Sequence, residues 1–170
     1  MLLRLYTPEV AKHVFTTMSD DELMAFLGLD STEALAKEKE KFSLGIATYN
    51  RSFANFQMID KETGKHIGAC GFHTWVPDHR RAEIGYALDN DAYKQKGLMS
   101  EALYAILKYG FNEMNLHRIE ALVAEWNTAS VKLLTKFGFQ KEGVLRQHYV
   151  VNDIPEDSVA YSLLKPEFRF

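Results

Sequence analysis

The chain has 170 residues, of which 46% are hydrophobic and 25% charged, and a formal net charge of −3. This length suits one domain with a sizeable core, and we expect a single domain spanning residues 1–170. The slight negative charge argues against a partner nucleic acid, whose binding would require many phosphates to be neutralised. The single cysteine, Cys70, excludes an intramolecular disulfide scaffold, and a buried apolar role is expected for it rather than a nucleophilic one.

The sequence contains no apolar run of signal-peptide or membrane-spanning length. The first ten residues, MLLRLYTPEV, lack a long apolar stretch followed by a cleavage pattern. A membrane-spanning helix needs ~18 consecutive apolar residues, which do not occur. We therefore expect a cytoplasmic protein without a membrane partner.

The first third of the chain carries signals of helix starts. The Thr7–Pro8 pair is typical of an N-cap followed by proline at the first helical position. Ser19 and Glu22 fit a capping box, and either Asp30 or Ser31 can cap a third helical segment, STEALAKEKEKFSLGIATY. These signals predict that the N-terminal region is helical.

After Arg51 the pattern becomes that of β-strands. FANFQMID, HIGACGFHTW and RAEIGYAL predict an antiparallel meander, with a turn at DKETGK and a tight connection after Val76. Counting symmetrically across that connection places Thr74 opposite Glu83. His73 and Glu83 are then expected to face apart, unless a bulge shifts the register.

The second half alternates helices and strands. An apolar-periodic run from Leu98 to Met114 predicts a long helix, HRIEALVA a short strand, and the segment Asn127–Phe137 a second helix. The rest predicts a hairpin that turns around Asn152–Glu156. A strand–helix–strand crossover within an antiparallel arrangement predicts a mixed α/β sheet.

A polar loop joins the third strand of the meander to the long helix, in the segment YALDNDAYKQKGLMSEAL. The unpaired N–H groups and the dipole of a helix N-terminus favour an anion, and Gly97 would let a pyrophosphate approach the backbone. Lys94 and Lys96 add positive charge. The loop matches neither the Rossmann nor the Walker A pattern, and an ordinary helix start explains the same residues.

Five segments together resemble the GNAT superfamily of acyl-CoA N-acyltransferases: EIGYAL, YKQKGLMSEAL, HRIEA, NTAS and LLTKFGFQKEGVLR. The order and the residues of these segments are similar to those of the RimJ/RimL branch, which acetylates the N-termini of ribosomal proteins and includes relatives that act on small amines. The similarity runs from about Phe53 to Leu164. It implies the GNAT fold, in which helices cover both faces of a mixed, mostly antiparallel central sheet.

The resemblance also implies an acetyl-CoA site, in a V-shaped opening between the strand that ends at Leu88 and the parallel strand HRIEALVA. Loop amides would hold the pyrophosphate, and the strand end Tyr86–Leu88, which includes Ala87, would pair with pantetheine and direct one N–H group at the thioester oxygen. The family pattern of the loop is Q/R-x-x-G-x-G/A. The matching residues here are Lys94, Gln95, Lys96, Gly97, Leu98 and Met99, of which only Gly97 keeps the pattern. The resemblance implies that the amides from Gln95 to Ser100 hold the pyrophosphate.

Asn127 and Ser130 lie at the start of the second helix. From the residues alone, Asn127 is a favoured N-cap and Ser130 an ordinary residue of the first turn. The resemblance implies that Asn127 binds pantetheine and that Ser130 protonates the departing thiolate. Many relatives place a tyrosine as general acid where this chain has Leu134, which cannot donate a proton, so Ser130 or a bound water must replace it.

Glu83 is the first candidate for the base that accepts the proton of the amine, because partial burial beside apolar walls strengthens a carboxylate as a base. A solvent-facing ion pair with Arg80 or Arg81 explains the same residue. His73 and His148 are alternative bases.

The chain is therefore expected to transfer an acetyl group directly from acetyl-CoA to a primary amine, without a metal, in a ternary complex. The resemblance favours a protein N-terminal amine as acceptor. A small amine, such as a polyamine, an amino acid or an aminoglycoside, is an alternative, and so is a CoA-binding module without catalysis. Dimers are common among relatives, and the sequence leaves open whether this chain forms a homodimer.

Overall fold

The computed structural model describes residues 1–43 and 52–169. The strands are β1 (Leu2–Tyr6), β2 (Ser52–Ile59), β3 (His66–Val76), β4 (Arg81–Leu88), β5 (Arg118–Val123), β6 (Gln140–Val151) and β7 (Ile154–Leu164). The α-helices are α1 (Pro8–Thr17), α2 (Asp20–Leu27), α3 (Thr32–Ser43), α4 (Leu98–Asn112) and α5 (Thr128–Lys136).

Within the described residues, seven strands form one sheet in the order β1-β2-β3-β4-β5-β7-β6. Neighbouring strands pair antiparallel, except β4 and β5, which are parallel. The parallel pair needs a crossover, which α4 supplies. The mixed, mostly antiparallel sheet expected from the sequence is thus confirmed.

The helices pack on opposite faces of this sheet. On one face, Phe72 of β3 and Leu134 of α5 belong to the main core, together with the apolar residues of α4. On the other face, α1, α2 and α3 enclose a smaller core around Val14, Leu23 and Leu35. Because side chains alternate along a strand, each strand residue can be assigned to the α4–α5 face or to the α1–α3 face.

The helix-start signals in the N-terminal region are confirmed. Thr7 caps α1, and Ser19 and Glu22 form the reciprocal capping box of α2. Ser31, rather than Asp30, caps α3, because its Oγ accepts the N–H of Ala34 at 3.2 Å. Residues 44–49 of the third predicted segment lie outside the described residues.

The assignment of the whole N-terminal region to helices is wrong, because Leu2–Tyr6 forms the edge strand β1. This strand pairs antiparallel with β2, from Leu2 opposite Ile59 to Tyr6 opposite Asn55. Its sequence, LLRLY, does not alternate between apolar and polar residues, so it carries no clear strand signal.

The predicted register of β3 against β4 is also wrong, because His73, not Thr74, lies opposite Glu83. β3 bulges between His73 and Val76, and Thr74 has a φ of 51° within the bulge. The extra residue on β3 shifts the symmetrical count by one. His73 and Glu83 therefore share the α1–α3 face.

An ion-pair network links β4 and β5 to the β6–β7 hairpin. It lies at the end of the sheet where β4 and β5 are paired. Glu120 accepts hydrogen bonds from Arg81 at 3.1 Å and from Arg118 at 2.7 Å. Arg118 also forms a two-point contact with Glu142, to which Ser162 donates a hydrogen bond. The bonds from Arg118 and Ser162 lower the pKa of Glu142 to about 2, so this carboxylate stays ionised at neutral pH.

Gly110 of α4 makes close contact with the sheet, and its replacement gives a test of the packing. A Cβ at this position would lie 2.5 Å from Cζ of Phe72, whose side chain is fully buried. Alanine normally stabilises a helix interior by about 0.5–1 kcal/mol relative to glycine. Here we expect Gly110→Ala to lower the free energy of unfolding by about 1–3 kcal/mol, as overpacking does, in urea denaturation.

The double variant Gly110→Ala with Phe72→Leu is the control, because the smaller side chain makes room for the methyl group. It should lose clearly less stability than the sum of the two single variants. Additive losses would contradict the close packing of α4 on β3.

Candidate active site

A cleft opens where β4 and β5 separate. The two strands pair only from Arg81 to Glu83 and from Arg118 to Glu120. Beyond these residues both strands line a cavity of about 430 Å³, together with the first turns of α5 and part of β6. The opening lies at the position expected for the V-shaped cofactor cleft, and the edge of β4 that faces it has no partner strand beyond Glu83 among the described residues.

Residues from both faces of the sheet line this cleft. Tyr86 is paired with Cys70 of the main core, which places its side chain on the α4–α5 face. Glu83 is paired with His73, which places both side chains on the α1–α3 face. All three cleft residues, Tyr86, Glu83 and His73, line the same cavity, so the cleft passes through the sheet.

Glu83 and His73 form a close pair at this opening. Nδ1 of His73 lies 3.7 Å from Oε2 of Glu83, and the side chains of His73 and Glu83 are 43% and 21% exposed. The imidazole lies over Gly85, where an added Cβ would be only 2.9 Å from Nε2. The histidine and the carboxylate are thus adjacent, although the sequence count predicted that they would face apart.

The two arginines that could pair with Glu83 are engaged elsewhere. Arg80 donates to the carbonyl oxygen and the side-chain oxygen of Asn115, each at 2.9 Å. Arg81 donates to Glu120 at 3.1 Å. Both guanidinium groups therefore bind residues other than Glu83, which does not support the alternative role of Glu83 as the ion-pair partner of an arginine.

Tyr86 and Ser130 both line the cleft on its α4–α5 side. Burial raises the pKa of Tyr86, and the neighbouring Ser130 hydroxyl offsets part of that rise. Asn127 caps α5 through Oδ1, which accepts the N–H of Ser130 at 3.2 Å. Leu134, which also lines the cleft, is fully buried. Sequence reasoning assigned only the backbone of Tyr86 to the site and missed its side chain.

The loop before α4 has the geometry of an open helix N-terminus. Gly97 is the N-cap, with a φ of 77° and no side-chain cap hydrogen bond, so the first-turn N–H groups of α4 remain available. Gln95 has a φ of 60°, which curls the backbone just before it. Of the two predicted lysines, Lys94 pairs with Asp91 at 2.6 Å, and Lys96 is exposed.

Lys136 of α5 is a further cation at this helix start. Its Nζ donates to Oγ of Ser100, in the first turn of α4, at 2.6 Å. The sequence could not indicate this contact, because it depends on the packing of α5 beside α4.

The other candidate residues lie outside the cleft. His148 is linked to Oγ of Ser158 by a 3.0 Å contact from Nδ1. Cys70 is 1% exposed, and burial raises the pKa of its thiol to about 12. His148 is not among the residues that line the cleft, and the buried, protonated thiol of Cys70 does not suit a nucleophile.

The mouth of the cleft contains a cluster that the sequence analysis missed. Trp126 and Tyr149 both line the cavity, and both donate to Oε2 of Glu156, at 3.0 and 3.1 Å. The three residues come from the turn before α5 and from the two strands of the hairpin, so no local pattern connects them.

Among the residues that the structure describes, no helix is long and apolar enough to cross a membrane. Over the same residues, no group of three or more His, Cys, Asp or Glu side chains is placed to hold a metal ion.

A parallel strand pair that diverges beside a glycine-capped helix is the arrangement that the resemblance to acyl-CoA N-acyltransferases implied. The family model described as acetyltransferase (GNAT) domain matches residues 1–140. The chain belongs to this GNAT family of N-acetyltransferases. The match includes the N-terminal residues, where the resemblance noted in the sequence fades.

Individual relatives agree with this assignment. The chain is 37% identical over 167 residues to the uncharacterized N-acetyltransferase YoaA of Bacillus subtilis (strain 168), covering 98% of this chain and 94% of that protein. It is 31% identical over 114 residues to the [ribosomal protein uS5]-alanine N-acetyltransferase of Escherichia coli (strain K12), covering 66% and 58%. A mutant of the spermidine N-acetyltransferase SpeG from Vibrio cholerae shares the fold, with a TM-score of 0.71, 22% identity and coverage of 97% and 95%.

The open loop around Gly97 gives a test of the phosphate site. An alanine Cβ at Gly97 would meet no atom within 4 Å, so the substitution disturbs the backbone at φ 77° without a clash inside the protein. We expect Gly97→Ala to weaken coenzyme A binding about tenfold in calorimetric titration, because the first-turn amides move and the methyl group enters the space for the phosphates.

Gly64→Ala is the matched control. Gly64 has a φ of 70°, and an added Cβ there would also meet no atom within 4 Å, but this glycine lies in the turn between β2 and β3. Its variant should show a similar backbone cost and unchanged coenzyme A affinity. Equal affinities for both variants would remove the phosphate role of Gly97.

Proposed function

We propose that this N-acetyltransferase transfers the acetyl group directly from acetyl-CoA to the N-terminal α-amine of a protein, in a ternary complex. The observation that carries the proposal is the pairing of Glu83 and His73 on one side of the cleft with Tyr86 and Ser130 on the other. An amine that enters from the α1–α3 face can meet a thioester that enters from the α4–α5 face.

The binding of acetyl-CoA uses main-chain groups first. The N–H groups from Gln95 to Ser100 hold the pyrophosphate, and the charges of Lys96 and Lys136 support them. The unpaired edge Tyr86–Leu88 hydrogen-bonds the pantetheine arm. Asn127 uses its oxygen to cap α5, so its amide N–H₂ group is the part that donates to pantetheine.

The chemical step needs a base and an acid on opposite sides of the cleft. Glu83 accepts the amine proton, directly or through a water, while the nitrogen lone pair forms a bond to the acetyl carbon. An N–H group near Leu88 stabilises the oxyanion of the tetrahedral intermediate. When the carbon–sulfur bond breaks, Ser130 donates a proton to the thiolate and recovers one from solvent, which restores its hydroxyl.

The choice of acceptor rests on the relatives. The Escherichia coli relative acts on an alanine of ribosomal protein uS5, and its identity of 31% supports a protein N-terminus and the RimJ/RimL branch for this chain. The spermidine enzyme shares the fold at 22% identity. This lower identity gives a polyamine acceptor less support in this chain than a protein N-terminus has.

Replacement of Glu83 tests the base. An α-amine has a pKa of about 8, so it is mostly an ammonium ion below neutral pH and depends most on a base there. We expect Glu83→Gln to lower kcat about 10²–10⁴-fold at neutral pH, with a larger loss at lower pH. The measurement is a pH–rate profile of thiol release.

His73→Gln is the control for this prediction, because it alters the neighbour 3.7 Å away and leaves the carboxylate in place. It should keep the shape of the profile. If the profile of Glu83→Gln keeps the shape of the unaltered enzyme, Glu83 is not the base, and a changed profile of His73→Gln would assign the role to the histidine.

Replacement of Ser130 tests the acid. We expect Ser130→Ala to lower kcat about 10–100-fold with little change in KM for acetyl-CoA, since the hydroxyl acts on the leaving thiolate. Tyr86→Phe, which removes the neighbouring hydroxyl, shows whether the phenol supports the same step. An acetyl donor with a more acidic thiol should restore much of the rate of Ser130→Ala, and failure of this rescue would contradict the role of Ser130.

Acceptors are identified by thiol release from acetyl-CoA, measured in parallel with a library of N-terminal peptides and a library of small amines. Transfer to peptides supports the proposal. Transfer to small amines alone would assign a small-molecule acceptor, and no transfer with either library would leave a CoA-binding module.

A further inference from the structure

A second cavity, of about 320 Å³, lies on the α1–α3 face next to the cleft. His73 lines both cavities and therefore forms the wall between them. Because the same histidine lies 3.7 Å from Glu83, this cavity ends beside the group that we propose accepts the amine proton.

The lining of the second cavity is mainly aromatic. Among the described residues, four rings line it, contributed by α1, α3, β1 and β2: Tyr6, Phe15, Phe42 and Phe53. Phe15 and Phe42 are stacked, with centroids 4.5 Å apart and ring planes 4° apart, and Tyr6 and Phe53 lie 6.0 Å apart. All four side chains are only half-buried, so they present apolar surface to the cavity.

The charge of the cavity is close to balanced. Glu38 is the carboxylate that lines it within the described residues, and Lys41, which also lines it, pairs with Glu38 at 2.5 Å. A polyamine would bring additional ammonium groups, and these would lose water without gaining a free carboxylate. Contact with the faces of the rings compensates only part of that loss.

We propose that this cavity holds an apolar group carried by the acceptor, so that the preferred substrate is a primary amine attached to a bulky apolar group. The inference rests on the proposed acetyl transfer and specifies the acceptor of that reaction. The apolar group packs among the four rings while the amine passes His73 and reaches Glu83. The same chemistry is offered by a free arylalkylamine and by a protein whose N-terminal residue is large and apolar.

The test compares kcat/KM for four acceptors: 2-phenylethylamine, spermidine, and two peptides that differ only in an N-terminal Phe or Gly. We expect 2-phenylethylamine to exceed spermidine, and the Phe peptide to exceed the Gly peptide, each by at least about tenfold. Whichever of 2-phenylethylamine and the Phe peptide has the larger kcat/KM tells whether the apolar group is carried by a free amine or by a protein N-terminus.

Phe42→Leu should lower kcat/KM for the apolar acceptors about tenfold through KM, a clearly larger loss than for the Gly peptide, whose N-terminal residue has no side chain to pack among the rings. Phe26→Leu is the matched control. Phe26 packs in the same small core, with its ring 6.2 Å from that of Tyr6, but it does not line the cavity. Urea denaturation of both variants shows whether each remains folded.

Preference for spermidine, or equal effects of the two phenylalanine variants on all acceptors, would overturn the inference while the acetyl transfer stands. Calorimetric titration of 2-phenylethylamine in the presence of coenzyme A detects the opposite case, in which the cavity binds the amine but the protein does not transfer an acetyl group. Binding that Phe42→Leu weakens, without thiol release with any acceptor, would overturn the proposed function and retain the cavity as an apolar amine site. Absence of binding and of any preference would overturn the assignment of the cavity.

Discussion

The separation of β4 from β5 is the constraint on which the rest of the structure depends. Continued pairing would satisfy the main-chain groups of both strands within the sheet, and it would close the cleft. The ion-pair network around Glu120 holds the strands together at one end. Beyond Glu83 the strands diverge, and the edge of β4 that faces the cleft has no partner strand among the described residues. The network therefore lies at the paired end of β4 and β5, and the cleft lies at the end where the two strands diverge.

The divergence also brings the two faces of the sheet into one site. Alternation along β4 normally keeps Glu83 and Tyr86 apart, because it directs them to opposite faces. An opening through the sheet lets both line one cavity. Proton acceptance and proton donation can therefore be assigned to different faces, each with its own surroundings. The α1–α3 face offers an aromatic cavity, and the α4–α5 face offers a helix N-terminus suited to phosphate.

Local chemistry made much of the fold predictable. The capping box at Ser19 and the glycine before α4 could be recognised from the sequence, because the residues that form each signal are close together in the chain. The succession of strands along the chain from β2 to β7 followed from alternation and turns, whereas the position of β7 between β5 and β6 in the sheet was not predicted. β1 was missed because its five residues, LLRLY, do not alternate between apolar and polar. The bulge at Thr74 was allowed for in the sequence analysis but could not be located, because no residue type marks it.

The candidate site was predictable only in part, for a related reason. Glu83, Gly97 and Ser130 came from short motifs that resemble a family. The partnership of Glu83 with His73, of Tyr86 with Ser130, and of Lys136 with Ser100 depends on strand register and helix packing. These contacts join residues that are distant in the chain or are related by an unmarked bulge, so a single sequence carries no direct signal for them.

The position of Cys70 has a consequence for an enzyme that handles an activated thioester. This cysteine lies directly across from Tyr86, one strand away from the edge proposed for pantetheine. A thiol exchanges with thioesters through its thiolate, and burial together with a pKa of about 12 keeps Cys70 in the unreactive protonated form. The chain's one sulfhydryl is thereby protected from capturing the acetyl group itself, and the acyl donor is preserved for the amine.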